Sequence, residues 1–182
     1  MKIYIMGPSG SGTSTLGLEL SKRFKIPQED SDNFFWQKTD PPYTSKNSIE
    51  ELHKLFYEFT SIENFIISGD ILNWGICEED LLSRFTHIIY LYLPWEVRES
   101  RIRNRESKRF GNRIKPGGDM YKTHEDFIQW ASKYDFDTQL GRNKTSQKNF
   151  IKLFSKKNKN VFEIEKVLSL KDLVEQSVLF LK

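Results

Sequence analysis

Apolar residues along this chain come in short blocks that alternate with longer stretches of helical period. Residues 3–6 form a compact apolar run broken by Gly7 and read as a strand. Over residues 14 to about 24, Leu16, Leu20 and Phe24 recur every four positions, which stacks them on one helix face. A second short strand is expected near 26–29, diluted by Pro27 and polar neighbours. Asp40-Pro41-Pro42 marks a loop, and Ser48 with Glu51 forms a capping box for a helix carrying Ile49, Leu52, Leu55, Phe56 and Phe59. Phe65-Ile66-Ile67, within 64–68, is a buried strand that Gly69 ends.

The second half continues the alternation. Residues 87–93 form a longer apolar strand stopped by Pro94, and a basic helix follows to about residue 106. Residues 110–118, with three glycines and Pro116, read as a loop. Thr123 and Asp126 are expected to cap a helix bearing Phe127, Trp130 and Tyr134. A further helix is expected from about 145 to 154, then a linker over 155–160 and a last strand at 161–164. Ser169 with Asp172 caps the final helix, whose inward residues are Leu173, Val174, Val178 and Leu181. Short buried strands separated by helices predict an α/β fold, a parallel sheet covered on both faces. The 182 residues suit a single domain.

Gly7-Pro8-Ser9-Gly10-Ser11-Gly12-Thr13-Ser14-Thr15 lies between the first strand and the first helix. Gly7 and Gly12 have the Gly-x-x-x-x-Gly spacing of a phosphate loop, and Gly10 adds freedom. Such glycines let successive N–H groups turn inward around a phosphate, and the helix start adds free N–H groups and its positive dipole end. Ser14 falls at the hydroxyl position that ligates Mg²⁺ in such loops. Thr13 stands where a lysine usually reaches the outer phosphates, so that charge has to come from elsewhere or be missing. Two other readings of the segment stay open: a glycine-rich turn without a ligand, and a dinucleotide turn. Gly10-x-Gly12 and an aspartate (Asp30) about 20 residues on fit the latter, but Thr15 replaces its third glycine.

Composition narrows the picture modestly. The 28 basic and 25 acidic residues give a net charge of +3, too balanced to imply a nucleic-acid partner. Cys77 is the single cysteine, which excludes an intramolecular disulfide and a cysteine metal site. No apolar run approaches the ~20 residues that span a bilayer, and the N-terminus lacks a signal-peptide pattern, so no membrane partner and a cytoplasmic location are expected.

Charge placement is more telling. Arg98, Arg101 and Arg105 share one helix face, and Arg103, Lys108, Arg109 and Arg113 follow beside the loop. This density suits a lid closing over phosphate; a solvated helix paired with Glu96, Glu99 and Glu106 is the plainer alternative. Asp30 and Asp32 follow the second strand, either as site carboxylates or as turn residues, and Ser68-Gly69-Asp70 ends the third. Phe34, Phe35, Trp36 and Trp74 read as core or as the wall of an acceptor pocket.

With the loop, the carboxylates and the basic segment together, the chain resembles the small P-loop kinases, the adenylate kinase-related and shikimate kinase-like enzymes. That resemblance covers residues 2 to about 134 and implies a P-loop NTPase fold, a three-layer α/β/α sandwich with strand order 2-3-1-4-5. It also implies an arginine-bearing lid, here about 98–122, and an ATP- and Mg²⁺-dependent transfer of the γ-phosphoryl group to a small-molecule hydroxyl or phosphate. Carried over, Gly7 to Thr15 bind the nucleotide triphosphate, and Ser14 and Asp30 hold the metal. Asp32 serves the acceptor, and Arg101, Arg105 and Arg109 stabilise the moving charge. Relatives commonly seat adenine on residues after the fifth strand, and Glu163-Ile164-Glu165-Lys166 shows no clear version of that loop. The absent loop lysine keeps a second function open, a non-catalytic nucleotide-binding or sensing protein.

Overall fold

The computed structural model describes residues 1–136, 142–158 and 160–182. Five parallel strands form its centre: β1 (Lys2–Met6), β2 (Gln28–Asp30), β3 (Phe65–Ser68), β4 (His87–Leu91) and β5 (Val161–Ile164). They lie in the order β2-β3-β1-β4-β5. Around them run α1 (Thr13–Phe24), α2 (Ser31–Phe35), α3 (Ile49–Thr60), α4 (Glu78–Arg84), α5 (Trp95–Phe110), α6 (Tyr121–Ser132), α7 (Lys144–Asn158) and α8 (Leu170–Phe180). This order differs from the 3-2-1-4-5-6 arrangement of a dinucleotide fold, which removes that reading of the loop.

Strand side chains alternate between faces, and both faces are apolar because both are covered. Tyr4, Met6, Phe65, Ile67, Ile88 and Tyr90 face a layer containing Phe56 of α3, Leu82 of α4 and Phe154 of α7. Ile3, Ile5, Ile66 and Ile89 face Leu16 and Leu20 of α1 and Val178 of α8. A smaller cluster of Ile102, Ile128 and Ala131, with Trp95, Phe127 and Trp130 against it, joins α5 to α6. No helix among the described residues is long and apolar enough to cross a membrane.

Two of the three capping motifs act as read. Ser48 Oγ accepts from the Glu51 N–H at 3.2 Å, and Ser169 Oγ accepts from the Asp172 N–H at 3.1 Å. Thr123 does not cap, because α6 begins at Tyr121. Its start is set by tertiary contacts: Met120 is buried and its N–H donates to the Arg113 carbonyl at 2.9 Å. The basic helix α5 outruns its expected end, reaching Phe110 before Gly111, and a 3₁₀ turn over Gly111–Ile114 occupies part of the expected loop. Helix α7 likewise extends through most of the expected linker to Asn158; Lys159 lies outside the described residues. Helices α2 and α4, of 5 and 7 residues, are too short to leave a periodic signature in the sequence.

Candidate active site

The carboxyl ends of the parallel strands carry the functional candidates, as expected at the switch point where neighbouring strands depart in opposite directions. The segment from Gly7 to Gly12 joins β1 to α1, and Ser11 N–H donates back to the Pro8 carbonyl at 3.1 Å, curling it tightly. Gly12 precedes α1 with φ of 105°, and no side chain caps the helix. The first-turn N–H groups therefore point unclaimed into the cleft, an arrangement that attracts anions. A Cβ on Gly12 would meet nothing nearer than Arg101 Nη1 at 3.8 Å, so it would project into open space at the mouth of the loop. An uncapped helix start and a glycine with its cleft side free fit a phosphate chain. Thr13 is largely buried and contributes no positive charge.

Next to this loop stand the oxygen donors. Ser14 Oγ donates to one carboxylate oxygen of Asp30. That oxygen also receives Ser68 Oγ at 3.3 Å, while the other accepts from the Asp32 N–H at 3.0 Å and caps α2. Asp30 is thus a capping residue and a candidate ligand at once. A hydroxyl and a carboxylate held side by side are hard donors of the kind Mg²⁺ takes alongside water and phosphate oxygens, so the residues present fit that ion.

Asp32 sits in the first turn of α2 and is open to solvent. The protein around it pushes its pKa up by desolvation; Arg142 pulls it down, Asp30 pushes it up, and Arg105 and Arg109 pull it down. Because water reaches the side chain, the desolvation is weaker than for a sealed carboxyl, and the three guanidinium groups favour the ionised form.

Gly69 and Asp70 serve the packing beside the site. A Cβ on Gly69 would lie 2.0 Å from Ser31 Oγ, so this glycine lets β3 meet α2 rather than letting a substrate in. Ser31 Oγ accepts the Asp70 N–H at 2.9 Å. The Asp70 carboxylate accepts from Gln147 Nε2 at 2.7 Å and faces Arg142 at 3.8 Å. Burial raises its pKa, with Arg142 and Gln147 opposing.

The basic helix divides by function. Arg98, grouped with the lid arginines by spacing, is fully buried; it donates to the Leu93 carbonyl at 2.8 Å and the Ala131 carbonyl at 3.3 Å and pairs with Asp135 at 2.6 Å. It is a structural cation. Arg101 Nη1 donates to the Ser11 carbonyl at 3.4 Å, against the β1–α1 loop. Arg105 pairs with Glu106 at 2.8 Å, and Arg109 donates to Tyr43 Oη at 3.1 Å, both within electrostatic reach of Asp32. Arg113 joins Asp40 and Asp119, each at 2.7 Å, and so ties the turn after α5 to the loop after α2. The surface hollow formed by residues 112, 113 and 115–119 is open and touches none of the loop.

The aromatic residues split as well. Phe34 belongs to the core, while Phe35 stacks on Trp74 at 6.3 Å and Trp36 meets Tyr43 edge-on at 5.9 Å. On the opposite flank of the loop is a small slot lined by Leu91, Leu93, Ile164, Leu168, Ser11 and Arg101.

Arg142 escaped the sequence reading. It precedes α7 far from any motif, and only the missing lysine hinted that another cation was needed. Its Nη1 donates to Ser9 Oγ at 3.1 Å, its guanidinium lies 5.5 Å from the Trp130 ring centroid, and it faces Asp70. Burial opposes its charge, but Asp70, Asp32 and Asp30 outweigh that and raise its pKa.

A glycine-rich loop feeding an uncapped helix, on a sheet ordered 2-3-1-4-5, defines the fold of the small P-loop kinases. Solved structures agree on that fold. The shikimate kinase from Bacteroides thetaiotaomicron superposes with a TM-score of 0.55 at 15% identity, covering 98% of this chain and 97% of that one. The deoxyadenosine kinase from M. mycoides with bound dATP gives 0.55 at 16% identity, covering 100% and 99%. A gluconokinase from Sinorhizobium meliloti 1021 gives 0.53 at 13%, covering 99% and 90%. No family model matches the chain. It is 40% identical over 134 residues to the uncharacterized protein YqaC of Bacillus subtilis strain 168, across 73% of this chain and 72% of that protein. The chain belongs to the YqaC family.

Proposed function

We propose that the protein is an ATP- and Mg²⁺-dependent kinase, adenylate kinase-related, that transfers a γ-phosphoryl group to a hydroxyl or phosphate of a small molecule. The observation that carries this is the Ser14–Asp30 contact beside the uncapped start of α1, with Asp32 two residues further on. It joins a phosphate cradle, a metal-ligand pair and a candidate base in one cleft.

In this reading the backbone from Gly7 to Thr15 binds the phosphates. Ser14 and Asp30 would hold Mg²⁺, which would supply positive charge to offset that of the phosphates. Asp32 accepts the proton of the acceptor hydroxyl as its oxygen attacks. Arg105 and Arg109, at the acceptor side, orient the acceptor and offset negative charge there, while Arg101 covers the nucleotide side. The Arg113–Asp40 pair and the Arg109–Tyr43 contact hold the lid against the acceptor loop, and this closure excludes water from the transfer. The neighbours' names fit a small acceptor, since they include kinases of shikimate and a nucleoside.

The test is turnover with MgATP across nucleosides, nucleotides, sugars, polyols and ring acids, read as ADP release coupled to a phosphorylated product. Transfer to one of these classes is expected. Tight MgATP binding with no transfer to any class, and ATP hydrolysis created by Thr13→Lys, would instead make the protein a nucleotide sensor.

A further inference from the structure

The loop holds threonine where a long cation would normally meet the outer phosphates, and four arginines lie near enough to be considered. Their positions separate them. Arg101 donates to the Ser11 carbonyl and lines the small slot beside Leu91 and Ile164. Arg105 and Arg109 are engaged with Glu106 and Tyr43 on the acceptor side. Arg142 reaches the loop at Ser9 Oγ and interacts with Asp30 and Asp32 together. The terminal phosphate of a bound nucleotide has to lie where these groups converge, between the metal pair of Ser14 and Asp30 and the acceptor base Asp32.

Arg142 is also prepared for the task. Trp130 flanks its guanidinium, Asp70 faces it, and Gln147 fixes Asp70 in turn by donating at 2.7 Å. Gln147 accepts from Tyr134 Oη at 2.7 Å, which meets Tyr90 Oη at 2.9 Å, so the support runs back into the sheet. The Nε of Arg142 is buried without a hydrogen-bond acceptor. A cation held this rigidly beside a phosphate loop loses little freedom when an anion arrives.

We infer that Arg142 replaces the missing loop lysine as the residue that contacts the γ-phosphate, in the bound state as well as during transfer. This rests on the kinase reading above. In the transfer, the bond between the γ-phosphorus and the β–γ bridging oxygen breaks as the bond to the acceptor oxygen forms. The electron pair leaves on ADP, and the acceptor proton passes to Asp32. Arg142 donates N–H hydrogen bonds throughout and exchanges no proton.

A γ-phosphate contact separates ATP from ADP, so the decisive quantity is the ratio of their affinities. Arg142→Ala leaves Asp70 buried without its cation, and the double variant Arg142→Ala with Asp70→Asn removes that charge while keeping an acceptor for Gln147. Calorimetry with MgATP and MgADP on the parent and both variants should find ATP affinity lowered ~10- to 100-fold in whichever variant folds, the usual worth of a charged hydrogen bond. ADP affinity should hardly move. Arg101→Ala should weaken both nucleotides alike. Adding Thr13→Lys to the double variant should restore the preference for ATP. An unchanged ATP-to-ADP ratio in the folded double variant overturns the inference and leaves the kinase reading standing. A parent that binds neither nucleotide overturns both.

Discussion

Arg98→Ala separates structural from functional arginines on one helix. The native side chain is fully buried, flanked by the Trp95 and Tyr134 rings at 5.1 and 5.4 Å, and it satisfies the carbonyls of Leu93 and Ala131 as well as Asp135. Truncation opens a cavity and strands those three acceptors. Breaking a buried pair usually costs ~3–5 kcal/mol. Asp135 is 20% exposed, so water recovers part of its loss and ~2–4 kcal/mol is the better expectation. For a chain of this size each kcal/mol moves the melting temperature by ~2–4 °C, which gives a fall of ~4–16 °C. Arg105→Ala, half-exposed on the same helix, should cost less, because Arg109 still faces the buried Glu106 at 3.8 Å. Calorimetric melting of both variants checks this. An Arg98→Ala protein that melts with the parent but loses turnover would refute the assignment and return Arg98 to the catalytic group.

Asp32→Asn should lower turnover ~10²–10⁴-fold with ATP affinity nearly unchanged, whereas Asp30→Asn should raise the Mg²⁺ concentration needed for half-maximal activity; steady-state kinetics distinguishes them, and equal small effects would make both plain turn residues. Because Asp32 must be ionised to accept a proton, turnover should fall on the acid side as its carboxylate protonates. That acid limb should vanish in the residual activity of Asp32→Asn. Asp70 titrates with stability instead. Its folded-state pKa lies above the unfolded one, so its contribution is full below the unfolded pKa and lost as pH rises through the folded value. The melting temperature of the parent relative to Asp70→Asn should therefore rise as pH is lowered from about 7 to about 4, and a constant difference would contradict the buried-acid description.

The sheet could be read from the chain because its strands are short, apolar and bounded by Gly7, Gly69 and Pro94, and because Ser48 and Ser169 cap their helices locally. What sequence hid was set by tertiary contact. Helix α6 starts where Met120 packs, not where Thr123 offers a hydroxyl. The cleft shows the same division. Ser14 and Asp30, placed by the loop spacing and a strand end, are joined by a hydrogen bond. Helical spacing put Arg98 and Arg101 on one face, yet the first packs into the α5–α6 core and the second reaches the loop. Asp70 and Arg142 find each other across distant segments, and no local pattern announces such a pair.

The most direct measurement of the central claim is MgATP binding to the parent and to Gly12→Val. The positive φ of Gly12 makes a side chain there cost ~1–3 kcal/mol in strain, which a folded domain survives. Its Cβ has clear space up to Arg101, so the added branches would occupy the mouth where the phosphates approach. Titration calorimetry, with melting curves to show that the variant is folded, should find saturable binding in the parent and none in Gly12→Val. Equal affinity in a folded variant, or no binding to the parent, would contradict the account.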